Sequence, residues 1–333
     1  MKSHANIAIF VPHQGCPHTC TFCDQRTISG RTQPPSPEDV SRILCRALEQ
    51  MGSRAGQGEV AFFGGSFTTI DPGYRRALLQ AVQPYRDNFA GIRLSTRPDA
   101  VDEAILAELK AFGVTAIELG AQSMDDGVLD LARRGHCAAD VEKAAALIKG
   151  AGFSLGLQMM TGLPGGTGET TLQTAEKLAD LHPDTMRIYP ALTLEGTGLA
   201  ALYRAGQYLP PTLEETVELC ACLLRFFDSR GIRVIRLGLH DEAQLRERLV
   251  AGPYHPALRE LCEGKILLDA AKQELARQEI PPGPVTLYVT SGHQSKMAGQ
   301  NRRNLLHLEQ LGYRCAIGTD PLLKPLQLRV ECP

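Results

Sequence analysis

The chain has 333 residues, 43% of them hydrophobic and 22% charged, with a formal net charge of −2. That length and apolar content suit one large domain, or a large and a small one, around a substantial core. A net charge so close to zero excludes the whole-molecule basic field of a protein that coats nucleic acid.

The opening "MKSHANIAIFVPHQGC" holds only a short apolar run, which reads as a buried strand and lacks a cleavage site. No apolar stretch is long enough to cross a bilayer. The expectation is a cytoplasmic chain without a membrane partner. "NIAIFV" is followed by a helix over "SPEDVSRILCRALEQ", with Ser36 as N-cap and Pro37 in the first turn. "EVAFFGG" leads to a helix around "YRRALLQAV", and "IRLSTRP" to "VDEAILAELKAFG". "AIELGAQ" leads to helices over 125–133 and 138–151, "SLGLQMMTGLP" to "ETTLQTAEKLADL", and "TMRIYPAL" to a helix over 213–230. Six βα repeats call for a parallel sheet with right-handed crossovers, and the strands read as near-continuous apolar runs.

Loops rich in Gly, Ser, Thr, Gln and Arg follow successive strands: "GGSFTT", "STRPD", "GAQS", "TGLPGGT". A barrel brings such loops together on its carboxyl-terminal face, whereas a doubly wound sheet concentrates function at one switch point. The fold class is therefore α/β, an incomplete (βα)6-type TIM barrel over residues 1–240. Residues 241–333 are expected to form a small α/β extension. It contains helices over "EAQLRERLV", "HPALRELC" and "KILLDAAKQELARQ", then "VTLYVTS", a helix from about Ser295, and "RCAIG". From Arg236 onward basic residues outnumber acidic ones 13 to 11, with the surplus after Gly283, a weak tilt toward an anionic partner.

"GCPHTCTFC" gathers Cys16, Cys20 and Cys23 with no fourth cysteine nearby. A zinc site needs a fourth ligand, His13, His18 or a remote residue. A disulfide does not suit a reducing compartment, and a thioredoxin-type pair would use Cys20 and Cys23 alone. The remaining option is an iron–sulfur cluster held by three thiolates, which leaves one iron open to a ligand. The distal cysteines form no C-x2-C pair, so no second cluster is expected; Cys220 and Cys222 point to different faces of one helix.

The C-x3-C-x2-C spacing, with Phe22 before the last cysteine, resembles the radical S-adenosylmethionine superfamily. "FFGGSFTT", "IELGAQSMDDGVLDLARRGH", "MMTGLPGGT" and "RIYPALTLEGTGLAALYRAGQYLP" are similar, in order and spacing, to the Elongator catalytic subunit. More distantly they resemble oxygen-independent coproporphyrinogen oxidase. The resemblance covers roughly residues 5 to 240 and implies a radical domain with its C-terminal extension, without the acetyltransferase domain. It implies a [4Fe-4S] cluster on Cys16, Cys20 and Cys23 and bound S-adenosyl-L-methionine. Reductive cleavage of that cofactor would yield a 5′-deoxyadenosyl radical, with the electron supplied by a donor such as flavodoxin or ferredoxin.

By the same resemblance Phe22 sits beside the adenine, while Gly64, Gly65 and Ser66 face the methionyl amine. Gln122 and Gln158 hydrogen-bond the ribose, and Arg134 pairs with the methionyl carboxylate, a bidentate task that lysine does poorly. Ser95 stands where Elongator-type sequences often carry Glu, and it brings no charge. Arg97 and Asp99 form either cofactor contacts or an ion pair closing their loop.

For the substrate, the resemblance implies RNA, specifically transfer RNA. The alternatives are a small molecule or protein side chain, or a non-enzymatic iron–sulfur or zinc scaffold. Tyr189 is placed at the active face of the last barrel strand. His255 either lines the substrate mouth or caps a helix. Lys296, Arg302 and Arg303, in the first turns of a helix, either hold phosphate or form a solvated basic face.

Overall fold

The computed structural model describes residues 5–12, 16, 19–24, 33–239, 241 and 243–332. His13 and His18 lie outside the described residues. Two compact units form, one from Met1–Pro211 with Phe227–Pro253, the other from Thr212–Phe226 with Tyr254–Pro333. The helix Leu213–Ser229 starts in the second unit and ends in the first.

In the first unit the strands are β1 (Ala5–Val11), β2 (Gly58–Gly64), β3 (Gly91–Thr96), β4 (Val114–Gln122), β5 (Ser154–Thr161) and β6 (Thr185–Pro190). The short β7 (Thr193–Leu194) and β8 (Arg233–Leu237) follow. All but β7 join one seven-stranded sheet in the order β1-β2-β3-β4-β5-β6-β8, every pair parallel, curled into a half-barrel with β1 and β8 at its edges. The incomplete barrel expected from the βα alternation is thus what forms, with seven strands instead of six.

Alternation along the strands sorts their side chains into two faces. Ile9, Phe62, Leu94, Leu119, Leu157 and Ile188 are fully or almost fully buried on the face that the helices cover. Arg93, Ser95, Glu118, Gln158 and Arg187 alternate with them and bond one another on the opposite face. The strands are therefore not the uniform apolar runs that the sequence suggested; β3, β4, β5 and β6 carry these polar side chains on their inner face. Helix Pro37–Met51 opens as expected, with Ser36 and Asp39 each accepting the other's backbone N–H.

The second unit carries a three-stranded sheet in which β10 (Pro284–Val289) lies between β11 (Arg314–Thr319) and β12 (Leu328–Glu331). Its core joins Leu267, Leu275, Val285, Leu287, Met297 and Leu308. Three expectations change from Ala243 onward, the first of them within the first unit. "EAQLRERLV" forms only the helix Ala243–Glu247, after which β9 (Leu249–Ala251) pairs antiparallel with β7. "HPALRELC" and "KILLDAAKQELARQ" fuse into one helix, Leu258–Arg277. The segment from Ser295 breaks into helices Gln294–Ala298 and Arg303–Gln310, because Gly299, Asn301 and Arg302 all take positive φ.

Candidate functional site: the three-cysteine mouth

The carboxyl end of β1 delivers the chain to Cys16, Cys20 and Cys23, and the neighbouring strands supply what surrounds them. At Gly64 φ is 124°, and a Cβ there would lie 2.5 Å from the Val11 carbonyl oxygen. Only glycine lets the end of β2 press this closely on the end of β1. Gly65 N–H then donates to Val11 O at 3.1 Å. Ser66 is buried, its Oγ 2.8 Å from Thr96 Oγ1 and accepting the Arg97 N–H at 3.3 Å. The Gly64-Gly65-Ser66 loop is thus pinned between β1 and β3.

The cysteine loop is tied down by its own backbone. Thr21 N–H donates to Ala132 O at 3.1 Å, Thr21 O accepts from Leu199 N–H at 2.7 Å, and Cys23 N–H donates to Cys20 O at 3.1 Å. Phe22 is half-buried against a cluster containing Val128, Ala132, Leu163 and Tyr208. Cys16 is exposed, yet desolvation by neighbouring atoms raises its thiol and Cys20 adds to it, while the Ser66 backbone N–H and the Arg97 and Arg134 guanidiniums pull it down. Burial, with Cys20 and Cys16 adding to it, pushes Cys23 up to about 12. Arg134 thus lowers both Cys16 and Cys23, against the desolvation that raises them. No group of three His, Cys, Asp or Glu side chains among the described residues is placed to hold a single metal ion.

Arg134 is 7% exposed, whereas its neighbour Arg133 is exposed. Arg134 Nη1 donates to Cys20 Sγ at 3.2 Å and Nη2 to Gly120 O at 2.6 Å. Its backbone carbonyl accepts from Arg97 Nη2, and Arg97 in turn grips Asp99 through two bonds of 2.9 and 3.0 Å. The Arg97–Asp99 ion pair that the sequence left open is formed. Gln122 sits at φ 66°, where the β4–β5 register shifts, a conformation costing about 1 kcal/mol. It folds back over Gly120, where an added Cβ would stand 2.9 Å from Gln122 Nε2 and 3.3 Å from Arg134 Nη2.

Four buried polar atoms here lack a partner among the described residues: Gln122 Oε1, Arg134 Nε, Arg97 Nη1 and His136 Nδ1. A native interior satisfies nearly all such groups, so a concentration of them marks where a polar ligand belongs. Burial first, then Arg134 and Arg97, pushes His136 down to about 4 and leaves its ring neutral near pH 7.

The other expected residues stand elsewhere. Gln158 lies in the bore and donates to Glu118 Oε2 at 2.9 Å and Ser95 Oγ at 3.2 Å. Tyr189, half-buried two positions beyond Arg187 on β6, has its hydroxyl 3.5 Å from Arg187 Nη1. His255 Nδ1 accepts the Ala257 N–H at 3.1 Å, a local cap. Lys296 pairs with Glu263 at 2.7 Å and Arg303 with Glu214 at 2.6 Å, while Arg302 is exposed. The continuous helix expected to present all three cations does not exist. The residues that the sequence reading passed over are Glu118, Arg93, Arg187 and His136. Arg93, Glu118 and Arg187 lie one each on β3, β4 and β6 and His136 between two helices, so no local motif marks them.

An open parallel barrel that gathers three thiols and several unpaired buried polar atoms at the carboxyl ends of its strands has the layout of a barrel enzyme. The sequence profile of the Radical SAM superfamily matches residues 10–178, and that of the Radical_SAM C-terminal domain matches residues 183–267. The chain belongs to the Radical SAM superfamily. It is 26% identical over 256 residues to the tRNA uridine(34) acetyltransferase of Methanocaldococcus jannaschii, covering 65% of this chain and 47% of that one. It is 29% identical over 268 residues to Elongator complex protein 3 of Homo sapiens, covering 72% of this chain and 48% of that one. The chain thus spans about half the length of these curated relatives. The fold is also that of the archaeal Methanocaldococcus infernus Elp3, with a TM-score of 0.62 at 20% identity, over 84% of this chain and 64% of that one. Among the described residues no helix is long and apolar enough to cross a membrane.

Proposed function

We propose that the protein binds a [4Fe-4S] cluster through Cys16, Cys20 and Cys23, binds S-adenosyl-L-methionine beside it, and uses the pair to modify transfer RNA. The observation that carries this reading is the Arg134 guanidinium, bonded to Cys20 Sγ with its Nε unpaired, next to the unpaired Gln122 Oε1. The donor set fits both groups. Three thiols suit a cluster with one open iron. The unpaired guanidinium N–H suits a carboxylate, the amide oxygen suits a hydroxyl or ammonium, and the bare Gly120 leaves room for both side chains.

When bound, such a cluster supplies one electron to S-adenosyl-L-methionine and starts radical chemistry. The protein's part is placement. Arg134 would hold the methionyl carboxylate, the Gly64-Gly65-Ser66 loop the amine, Gln122 and Gln158 the ribose, and Phe22 the adenine. His136, neutral and buried, adds no competing charge beside Arg134. The electron would come from a donor such as flavodoxin or ferredoxin.

Transfer RNA is favoured by the names of the relatives, which act on tRNA uridine 34. One observation favours a small molecule or protein side chain instead: Lys296 and Arg303, two of the three cations expected to meet phosphate, are already paired with Glu263 and Glu214. Comparing modified nucleosides in transfer RNA from cells with and without the protein separates the two. Loss of one modified nucleoside is the expected result; an unchanged profile, with RNA binding that has no salt dependence, rules RNA out.

A further inference from the structure

Barrel interiors are commonly filled by layers of branched apolar side chains. Here the inner face carries an ionic layer. Glu118, with its side chain 1% exposed, accepts from Arg93 Nη1 at 3.1 Å and Arg187 Nη2 at 3.0 Å, both through Oε1. Arg187 Nε stands 2.7 Å from Oε2 without aiming its N–H at it. Arg93 also reaches Glu59 at 2.9 Å. Gly156 makes room, since a Cβ there would lie 2.7 Å from Glu118 Cγ.

Closing the barrel does not require this. A buried ion pair adds little stability compared with apolar side chains of the same volume, because both charges must leave water. The layer does, however, fix a neighbour. Gln158 stands one layer nearer the mouth, opposite Gly120 in the register. Its Nε2 gives both N–H groups downward, to Glu118 Oε2 and Ser95 Oγ. Its Oε1 has no partner among the described residues. The reversed amide would set a carbonyl oxygen against the carboxylate, so Glu118 selects one of two nearly isosteric orientations.

We propose that Glu118 is a positioning residue that locks the Gln158 amide, so that Gln158 offers only an acceptor to a ligand hydroxyl in the bore. It deepens the cofactor reading above, in which that hydroxyl belongs to the ribose of S-adenosyl-L-methionine. Ser95 completes the lock as a second acceptor for Nε2.

The test is a double-mutant cycle on the anaerobically cluster-loaded protein, with S-adenosyl-L-methionine affinity read by calorimetry. E118Q should weaken binding about tenfold when Gln158 is present and less than about twofold in a Q158A background. Equal losses in both backgrounds, or no loss in either, overturn the proposal. Should E118Q fail to fold, E118D keeps the charge between the arginines while withdrawing it from Gln158, and the same pattern is expected. A ligand-free measurement separates this from the cofactor reading. The Gln158 side-chain amide protons should exchange slowly with solvent in the wild-type protein and at least about tenfold faster in E118D. Fast exchange in the wild type overturns the lock, whatever the cofactor does. Slow exchange without any binding of S-adenosyl-L-methionine leaves the lock standing and removes the cofactor reading.

Discussion

Arg134 Nη1 lies 3.2 Å from Cys20 Sγ while its Nη2 lies 2.6 Å from Gly120 O, so one guanidinium joins the cysteine loop to the end of β4. Arg134→Lys keeps the charge but cannot make both bonds from a planar fork. The expected outcome is near-normal iron content with S-adenosyl-L-methionine affinity lowered tenfold or more, about 1.4 kcal/mol. Iron analysis with calorimetry checks it, and unchanged affinity would remove Arg134 from the cofactor site.

Gly120→Ala probes the same place sterically. The new methyl would meet Gln122 Nε2 at 2.9 Å and Arg134 Nη2 at 3.3 Å, both flexible side-chain ends, so the fold should survive. The melting temperature should fall by only a few degrees, while binding of S-adenosyl-L-methionine is lost. A variant that binds normally would show that those two side chains do not contact the ligand.

The thiols carry a pH signature. Desolvation raises both Cys16 and Cys23, Cys23 to about 12, so the apo-protein holds them protonated near neutrality. Iron must displace those protons, and its affinity rises with pH. Cluster loading should therefore be more complete at about pH 8.5 than at about pH 7 and should release protons to a pH indicator. Loading that is independent of pH contradicts this.

His136 predicts an acid instability of opposite origin. Its pKa falls from 6.5 to about 4 in the folded chain. The unfolded chain thus takes up a proton between those values that the folded chain refuses. The contribution is complete above pH 6.5 and is lost as pH falls toward 4, by about 3 kcal/mol at most. Denaturant midpoints of the apo-protein should drop more steeply from pH 7.5 to pH 5 for the wild type than for His136→Gln. Parallel curves would exclude His136 as the cause.

Two ion pairs in the second unit should behave differently. Glu263, its side chain 10% exposed, is held by Lys296 at 2.7 Å and Arg259 at 2.8 Å. Lys296→Met leaves a buried carboxylate with one partner and should cost about 2 kcal/mol. Arg303→Gln breaks a pair whose side chains are 73% and 75% exposed and should cost less than about 0.5 kcal/mol. Denaturant melts decide, and equal effects would mean that burial is not what separates them.

The barrel and its mouth were legible in the sequence because each rests on local patterns. Strand and helix periods alternate, Ser36 caps a helix, and the cysteines, the glycine pair and Arg134 fall in short motifs. The ionic layer was not legible. Glu118 within "AIELGAQ" looks like one charge in an apolar run, and only the register sets it beside Arg93, Gln158 and Arg187. "HPALRELC" and "KILLDAAKQELARQ" read as two helices, yet they form one, with Gly264 in its interior. A Cβ there would meet Lys296 O at 2.9 Å, a close approach that only the folded unit displays. The break at Gly299–Arg302 was hidden for a similar reason. Buried Asn304 bonds Gly264 O at 2.9 Å and Lys296 O at 3.3 Å, tertiary contacts with no mark in the local sequence.

The most direct measurement is anaerobic reconstitution followed by iron and sulfide analysis and an assay for 5′-deoxyadenosine after chemical reduction with S-adenosyl-L-methionine. About four irons and four sulfides per chain are expected. Also expected is 5′-deoxyadenosine that vanishes in C16A, C20A or C23A. A single zinc ion at the three cysteines, or a full cluster that yields no 5′-deoxyadenosine, would contradict the proposed function.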